Sequence, residues 1–153
     1  MKPTTAFWLL AISSLLGNAQ VVASGRDEAV TLRGKVVELR TVLKAEGVPF
    51  DEEPVAKQVV LQTSRGAVVP LISDEASRAF FVDERLRGRP AELHARRFAN
   101  LPYVQVVSFQ VEEDGRMRTP EYYCEICTIS VRFPQTCPCC QGPMVLRMKP
   151  ERH

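Results

Sequence analysis

The sequence predicts a mainly β fold: a five-stranded unit with one helix between its third and fourth strands, then a short cysteine-rich segment. Three observations predict it. Short valine-rich runs alternate with turns that contain glycine or proline. One stretch, residues 73–88, has helical spacing with its own start and stop signals. All five cysteines fall between Cys124 and Cys140. A hydrophobic share of 45% and a charged share of 25% are those of an ordinary globular chain, and 153 residues allow one domain with at most a small appendage.

The first residues stand apart from the fold. Lys2 precedes an uncharged apolar run from Ala6 to Leu16, and small residues follow at Gly17 and Ala19, or at Val21 and Ala23. A short positive start, an apolar stretch and an exit of small residues form the pattern of a cleaved signal peptide, here residues 1–23. The run is well short of the ~20 apolar residues that span a bilayer. No cysteine lies near the exit, so lipid attachment is not expected. The expectation is a chain secreted to the periplasm or outside the cell, with no stable membrane insertion after cleavage.

The whole chain has 20 basic and 18 acidic side chains, and the leader takes away only Lys2. Binders of nucleic acid concentrate positive charge, because phosphate neutralisation drives their affinity. The arginines at 85, 87, 89, 96 and 97 are interrupted by Asp83, Glu84 and Glu92, which reads as a solvated mixed surface. An oligonucleotide partner is therefore the weakest of the functional readings.

Residues 24–30 read as a lead-in. Thr31 to Leu43 reads as a strand, with Gly34 placed where a bulge or bend would let it serve two sides of a barrel. Lys44 to Pro54 reads as a loop. Gln58–Thr63 and Ala67–Ile72, joined by Ser64-Arg65-Gly66, form a hairpin signal, with Pro70 at an edge or irregular point. In 73–88, Ser73 is placed to cap a helix, Asp74 and Glu75 fall in its first turn, Ala76, Ala79, Phe80 and Leu86 share a face, and Gly88 ends it. Ala91–Arg97 is a strand with Ala91, Leu93 and Ala95 on one face. Tyr103–Glu112 is a longer one with Val107, Phe109 and Val111 inward. Glu113–Pro120 reads as a polar linker.

Strand, strand, strand, helix, strand, strand, with a bent first strand, resembles the layout of an OB-fold, a small five-stranded barrel. The phrases 33–37 (RGKVV) and 86–93 (LRGRPAEL) look like the first and fourth strands of small bacterial exported OB-fold proteins. The resemblance covers residues 31–112. It implies a ligand face over Val59 to Ile72, rimmed by the 44–54 loop, and that face lacks the aromatics that stack bases in nucleic-acid binders of this fold.

The cysteines give the strongest motif. Cys124/Cys127 and Cys137/Cys140 are two C-x2-C pairs, and each can turn two sulfurs to one side of a tight knuckle. Two facing knuckles make the tetrahedral four-thiolate site that zinc accepts. Between them, Ile129, Val131 and Phe133 favour a strand, and Pro134-Gln135 a turn. The knuckle Cys137-Pro138-Cys139-Cys140-Gln141-Gly142 resembles those of zinc ribbons and rubredoxin-like proteins, as does Tyr122, two residues before Cys124. Two departures stand out: no glycine directly follows Cys127 or Cys140, and the spacer is shorter than the usual ~15–20 residues. Disulfides are the alternative in an exported protein, but an odd number of cysteines leaves one unpaired, and the crowding at Cys139-Cys140 suits coordination better. Cys139 is left over, either as a bystander or as an extra thiolate in a site for Cu(I). Iron in four thiolates would make an electron carrier.

Other candidates are weak. His94 lies on the charged face of its strand and His153 is terminal. Asp51, Glu52 and Glu53 form a solvated acidic run, and Ser64 and Ser73 have turn and cap roles without a nucleophile elbow. Phosphate-loop and dinucleotide motifs are missing, so catalysis is not expected. The reading is a signal peptide over 1–23, an OB-like barrel over 24–115 and a zinc ribbon over 116–153. The chain is expected to be a binding or scaffold module for a protein or small ligand, or else a metal-handling or redox protein.

Overall fold

The computed structural model describes residues 27–150, so the leader and His153 lie outside it. The fold is mainly β, in two antiparallel sheets. Among the described residues no helix is long and apolar enough to cross a membrane.

The larger sheet is built on β1 (Glu28–Glu38), which begins inside the expected lead-in because Val30 and Leu32 already pack against the core. β1 pairs with β4 (Pro90–Arg97) from Glu28 to Lys35 and with β2 (Val59–Thr63) from Gly34 to Glu38. Gly34 is the pivot that the sequence pointed to: a Cβ there would lie 2.3 Å from the Gln62 carbonyl oxygen, so only glycine lets β2 approach. β3 (Val68–Pro70) extends the sheet beyond β2; β5 (Val104–Glu113) and β6 (Arg116–Arg118) extend it beyond β4, giving the order β3-β2-β1-β4-β5-β6. The sheet is not closed into a barrel. Its curl brings the chain after β3 to β5 at one parallel bridge, Leu71 to Val104, and Pro70 has no N–H to extend the pairing.

Several expected elements differ, each for a local reason. The first strand stops at Glu38, and Leu39–Ala45 forms helix α1, where Leu39, Val42 and Leu43 recur at helical spacing and Gly47 (φ 67°) ends the turn. The expected 44–54 loop contains the start of α2 (Glu52–Val55), tied to α1 by Lys44–Glu52 at 2.5 Å. The expected helix over 73–88 is reduced to α3 (Arg78–Val82) and a 3-10 turn at Glu84–Leu86. Ser73 caps nothing. Asp74 and Ser77 instead bond each other's backbone N–H groups (3.0 and 3.1 Å), an alternative to helix that these side chains favour. Asp83 then breaks the run in an extended conformation.

Ala91, Leu93 and Ala95 face inward as expected. Val107 does not. The β4–β5 register shifts between His94 and Ala95, so Val107 is an extra residue and is 55% exposed, while Val104 and Val106 are buried beside Phe109 and Val111. The expected linker 113–120 holds a hairpin turn at Asp114-Gly115, both at positive φ, and then β6.

The second sheet is β7 (Pro120–Cys124) flanked by β8 (Ile129–Val131) and β9 (Val145–Met148). It has no separate core. Tyr122 joins the cluster of Phe80, Leu86, Leu93 and Val111 under the large sheet, and Phe133, Met144, Leu146 and Met148 pack against that cluster. Phe80 and Phe109 lie at its centre with ring centroids 4.2 Å apart.

Candidate metal centre

The first knuckle follows directly from β7. Cys124 is its last residue, and the chain turns through Glu125 and Ile126 to Cys127 before β8 returns antiparallel. The second knuckle, Cys137 to Cys140, lies between β8 and β9. Both repeat one backbone design. The residue after the second cysteine donates its N–H to the carbonyl of the first: Thr128 to Cys124 and Gln141 to Cys137, each at 2.9 Å. That same residue takes a positive φ, 55° at Thr128 and 60° at Gln141. These are the positions where the sequence lacks glycine, and the conformation is adopted regardless. For β-branched Thr128 it is strained.

The four sulfurs of Cys124, Cys127, Cys137 and Cys140 all lie within 4.8 Å of one another. Cys124 and Cys140 are 3.5 Å apart, and all five cysteines are free thiols. A disulfide would need about 2.05 Å. A tetrahedral ion at about 2.3 Å from each sulfur would set them roughly 3.8 Å apart. The spacing therefore fits one ion and not two bridges. Cys124 and Cys137 are buried, Cys127 partly so, and Cys140 is at the surface. The Cys127 N–H points at the Cys124 sulfur at 3.5 Å, a contact that favours a thiolate. The backbone N–H groups of Cys140 and Cys139 hold the Cys137 thiol down to about 6, against burial, which pushes it up. The neighbouring thiols of Cys139 and Cys140 push Cys127 up instead. Protons are thus unevenly shared among the sulfurs: backbone N–H groups draw charge onto Cys137, while burial and neighbouring thiols leave Cys124 and Cys127 pushed up. A cation bound there would have to displace their protons.

All four sequence-predicted ligands are brought together, and Cys139 stays outside that set, exposed at its rim. The weak candidates stay apart from it. His94 sits on the outer face of β4, where Nδ1 meets Thr31 Oγ1 at 3.1 Å and Nε2 lies 3.5 Å from Glu92. Glu52 pairs with Lys44.

Sequence reasoning missed how this segment is anchored. Tyr122 donates its hydroxyl to Asp83 at 2.6 Å, in a buried contact between the small sheet and the chain after α3. Arg85 grips the same carboxylate with Nε at 2.9 Å and Nη2 at 2.6 Å, and gives it its backbone N–H at 3.0 Å. The Arg85 hydrogen bonds, helped by Tyr122, hold the Asp83 carboxyl down to about 2, while burial and the Asp83 charge push Tyr122 up, keeping its proton in place as the donor. The only signal was Tyr122 at its fixed distance from Cys124. Comparison with known protein families, curated proteins and solved structures finds nothing that matches this chain.

Proposed function

We propose that this chain is an exported binding or scaffold module of the bacterial cell envelope, its C-terminal segment fixed by one structural zinc on Cys124, Cys127, Cys137 and Cys140. The observation that carries the metal is the cluster of four sulfurs within 4.8 Å, on two knuckles of the same backbone design. Four thiolates leave the ion no open position for a water, so the reading assigns structure and not hydrolysis to the site. Zinc is the metal proposed because a closed tetrahedral set of four thiolates is its usual structural site. Export rests on the leader pattern at 1–23.

The OB-like reading of the larger sheet is supported by the first strand shared between the second and fourth, the helix between the third and fourth, and the Leu71–Val104 contact. On that reading the ligand face runs along β2 and β3. A cavity of about 710 Å3 lies there, lined by Val60, Leu71, Phe81, Val82 and Tyr103. This is where a protein or small ligand would bind.

Cys139 favours a second reading, metal handling or redox exchange with Cu(I) or iron, because an exposed fifth thiol sits beside Cys127 and Cys140. Metal content and free-thiol count, on protein exported and purified without added metal, separate the two. One zinc per chain with five titratable thiols supports the structural site. Copper, iron or a variable thiol count supports exchange, as would faster metal loss to a chelator that Cys139→Ser abolishes. Two disulfides and no metal would overturn both.

A further inference from the structure

Between the two sheets lies a cleft of about 260 Å3 whose charged and hydroxyl groups all suit an anion. One wall is β5 at its bulge, where the extra residue Val107 turns outward beside Ser108. The opposite wall is β8, with Ser130 and then Arg132. Thr119 and Lys149 close one end, joined by the Lys149 N–H to the Thr119 carbonyl at 2.8 Å. None of the lining residues is acidic.

Cations without a carboxylate partner among the described residues occur elsewhere on the surface too, among them Lys35, Lys57, Arg65, Arg96 and Arg97. The cleft is therefore set apart by what lines it together and not by unpaired charge alone. Arg33, Arg40, Lys44, Arg85, Arg87 and Arg147 are each paired with a carboxylate. Arg132 and Lys149 are exposed and have no carboxylate partner among the described residues, and the hydroxyls of Ser108, Thr119 and Ser130 have no hydrogen-bond partner there either. Here two cations and three free hydroxyls, drawn from separate segments, line one concavity that holds no carboxylate.

We propose that this cleft binds a phosphate monoester. The planar fork of Arg132 matches two phosphate oxygens, and Lys149 adds a point charge. Together they balance the near-double negative charge of a monoester at neutral pH. The three hydroxyls donate to the remaining oxygens, and Val107 and Val131 offer an apolar shelf for the first carbons of the ester. The site is distinct from the cysteine cluster and from the β2–β3 face, and does not depend on which metal is held.

The test is a titration of the chain as purified, in low-salt buffer, with glycerol 3-phosphate and separately with inorganic phosphate, followed by amide shifts of residues 107–109 and 130–132. Saturable binding is expected, with a Kd of about 1 mM or below for the ester and weaker binding for the free ion. Arg132→Ala and Lys149→Ala should each weaken it at least about tenfold, the size of one charge-assisted contact. Arg65→Ala, at the exposed β2–β3 turn, should not. Both cleft side chains are exposed, and unchanged shifts elsewhere confirm that the variants fold. No saturation up to about 20 mM, or equal weakening by Arg65→Ala, overturns the site. Equal affinity for the two ligands overturns the monoester assignment in favour of free phosphate.

Discussion

The six-stranded sheet encloses its own apolar core: Val36, Leu61, Leu93 and Val111 are fully buried under Phe80 and Leu86. Residues 120–150 contribute only Tyr122, Cys124 and Cys137 to the fully buried side chains. At roughly 1.5–3 kcal/mol for each fully buried large aliphatic or aromatic side chain, the first region has a large reservoir of burial and the second almost none. A three-stranded sheet of this size needs a staple, because it cannot remove enough apolar surface from water to offset its chain entropy. The difference teaches where each region's stability resides. The larger sheet is held by packing; the smaller leans on one buried tyrosine and, on the proposed reading, on a metal held by the four sulfurs.

The sharpest way to break that comparison is Cys124→Ser. Apparent binding free energies of structural zinc sites run to about 10–16 kcal/mol, far more than the small sheet can replace from packing. The variant should purify without metal and lose the amide dispersion of residues 120–150, while the six-stranded sheet keeps its own. Loss of both sheets together would show that the two regions are one cooperative unit. Retained metal with an intact small sheet would remove Cys124 from the ligand set.

A smaller effect tests the join between the regions. Tyr122→Phe deletes the 2.6 Å hydrogen bond to the buried Asp83 carboxylate and should cost about 1.5–3 kcal/mol in urea unfolding, the range for a bond to a charged group. The same contact sets a pH dependence. Asp83 is held down to about 2 in the folded chain against 3.8 as its ordinary value, so its contribution is complete above about pH 4 and lost as the pH falls towards 2. Asp83→Asn should be less stable at neutral pH and should lose less than wild type over that acid range. Acid release of a bound metal affects both proteins and cancels in the difference. A constant difference from pH 5 to 2 would mean that the carboxylate's charge does not carry the join.

Much of this was legible in the sequence, and the failures have physical causes. A valine-rich run before a glycine turn located β2, period-two alternation located β4 and most of β5, and Gly34 announced the pivot because nothing larger fits against Gln62. The ligand set was legible because C-x2-C fixes two sulfurs through local geometry alone. Val107 was misplaced because a bulge shifts register without changing composition. The helix at 73–88 was overcalled because Asp74, Ser77 and Asp83 all bind backbone or side-chain groups that compete with helix, and residue spacing does not reveal such bonds. The contact of Tyr122 with the local Asp83–Arg85 pair spans 39 positions of the chain, so no local pattern could show it.

The subtlest distinction between the regions is strain. The described turns of the larger sheet mostly place glycine at positive φ, at Gly47, Gly66 and Gly88, whereas both knuckles use a side-chain-bearing residue there. Thr128 is exposed and its hydroxyl has no partner among the described residues, so replacing it removes little besides the left-handed penalty. That penalty is about 1–2 kcal/mol, and the extra freedom of glycine in the unfolded chain offsets about half of it. Thr128→Gly should therefore gain about 0.5–1 kcal/mol. On the proposed reading, folding of the segment and metal binding are coupled, so the gain should appear as metal held about two- to fivefold more tightly against a competing chelator, with the unfolding of the six-stranded sheet unchanged. A weaker hold on the metal would mean that the Thr128 side chain supports the knuckle, and that the positive φ there is not a cost the segment bears for keeping its four sulfurs together.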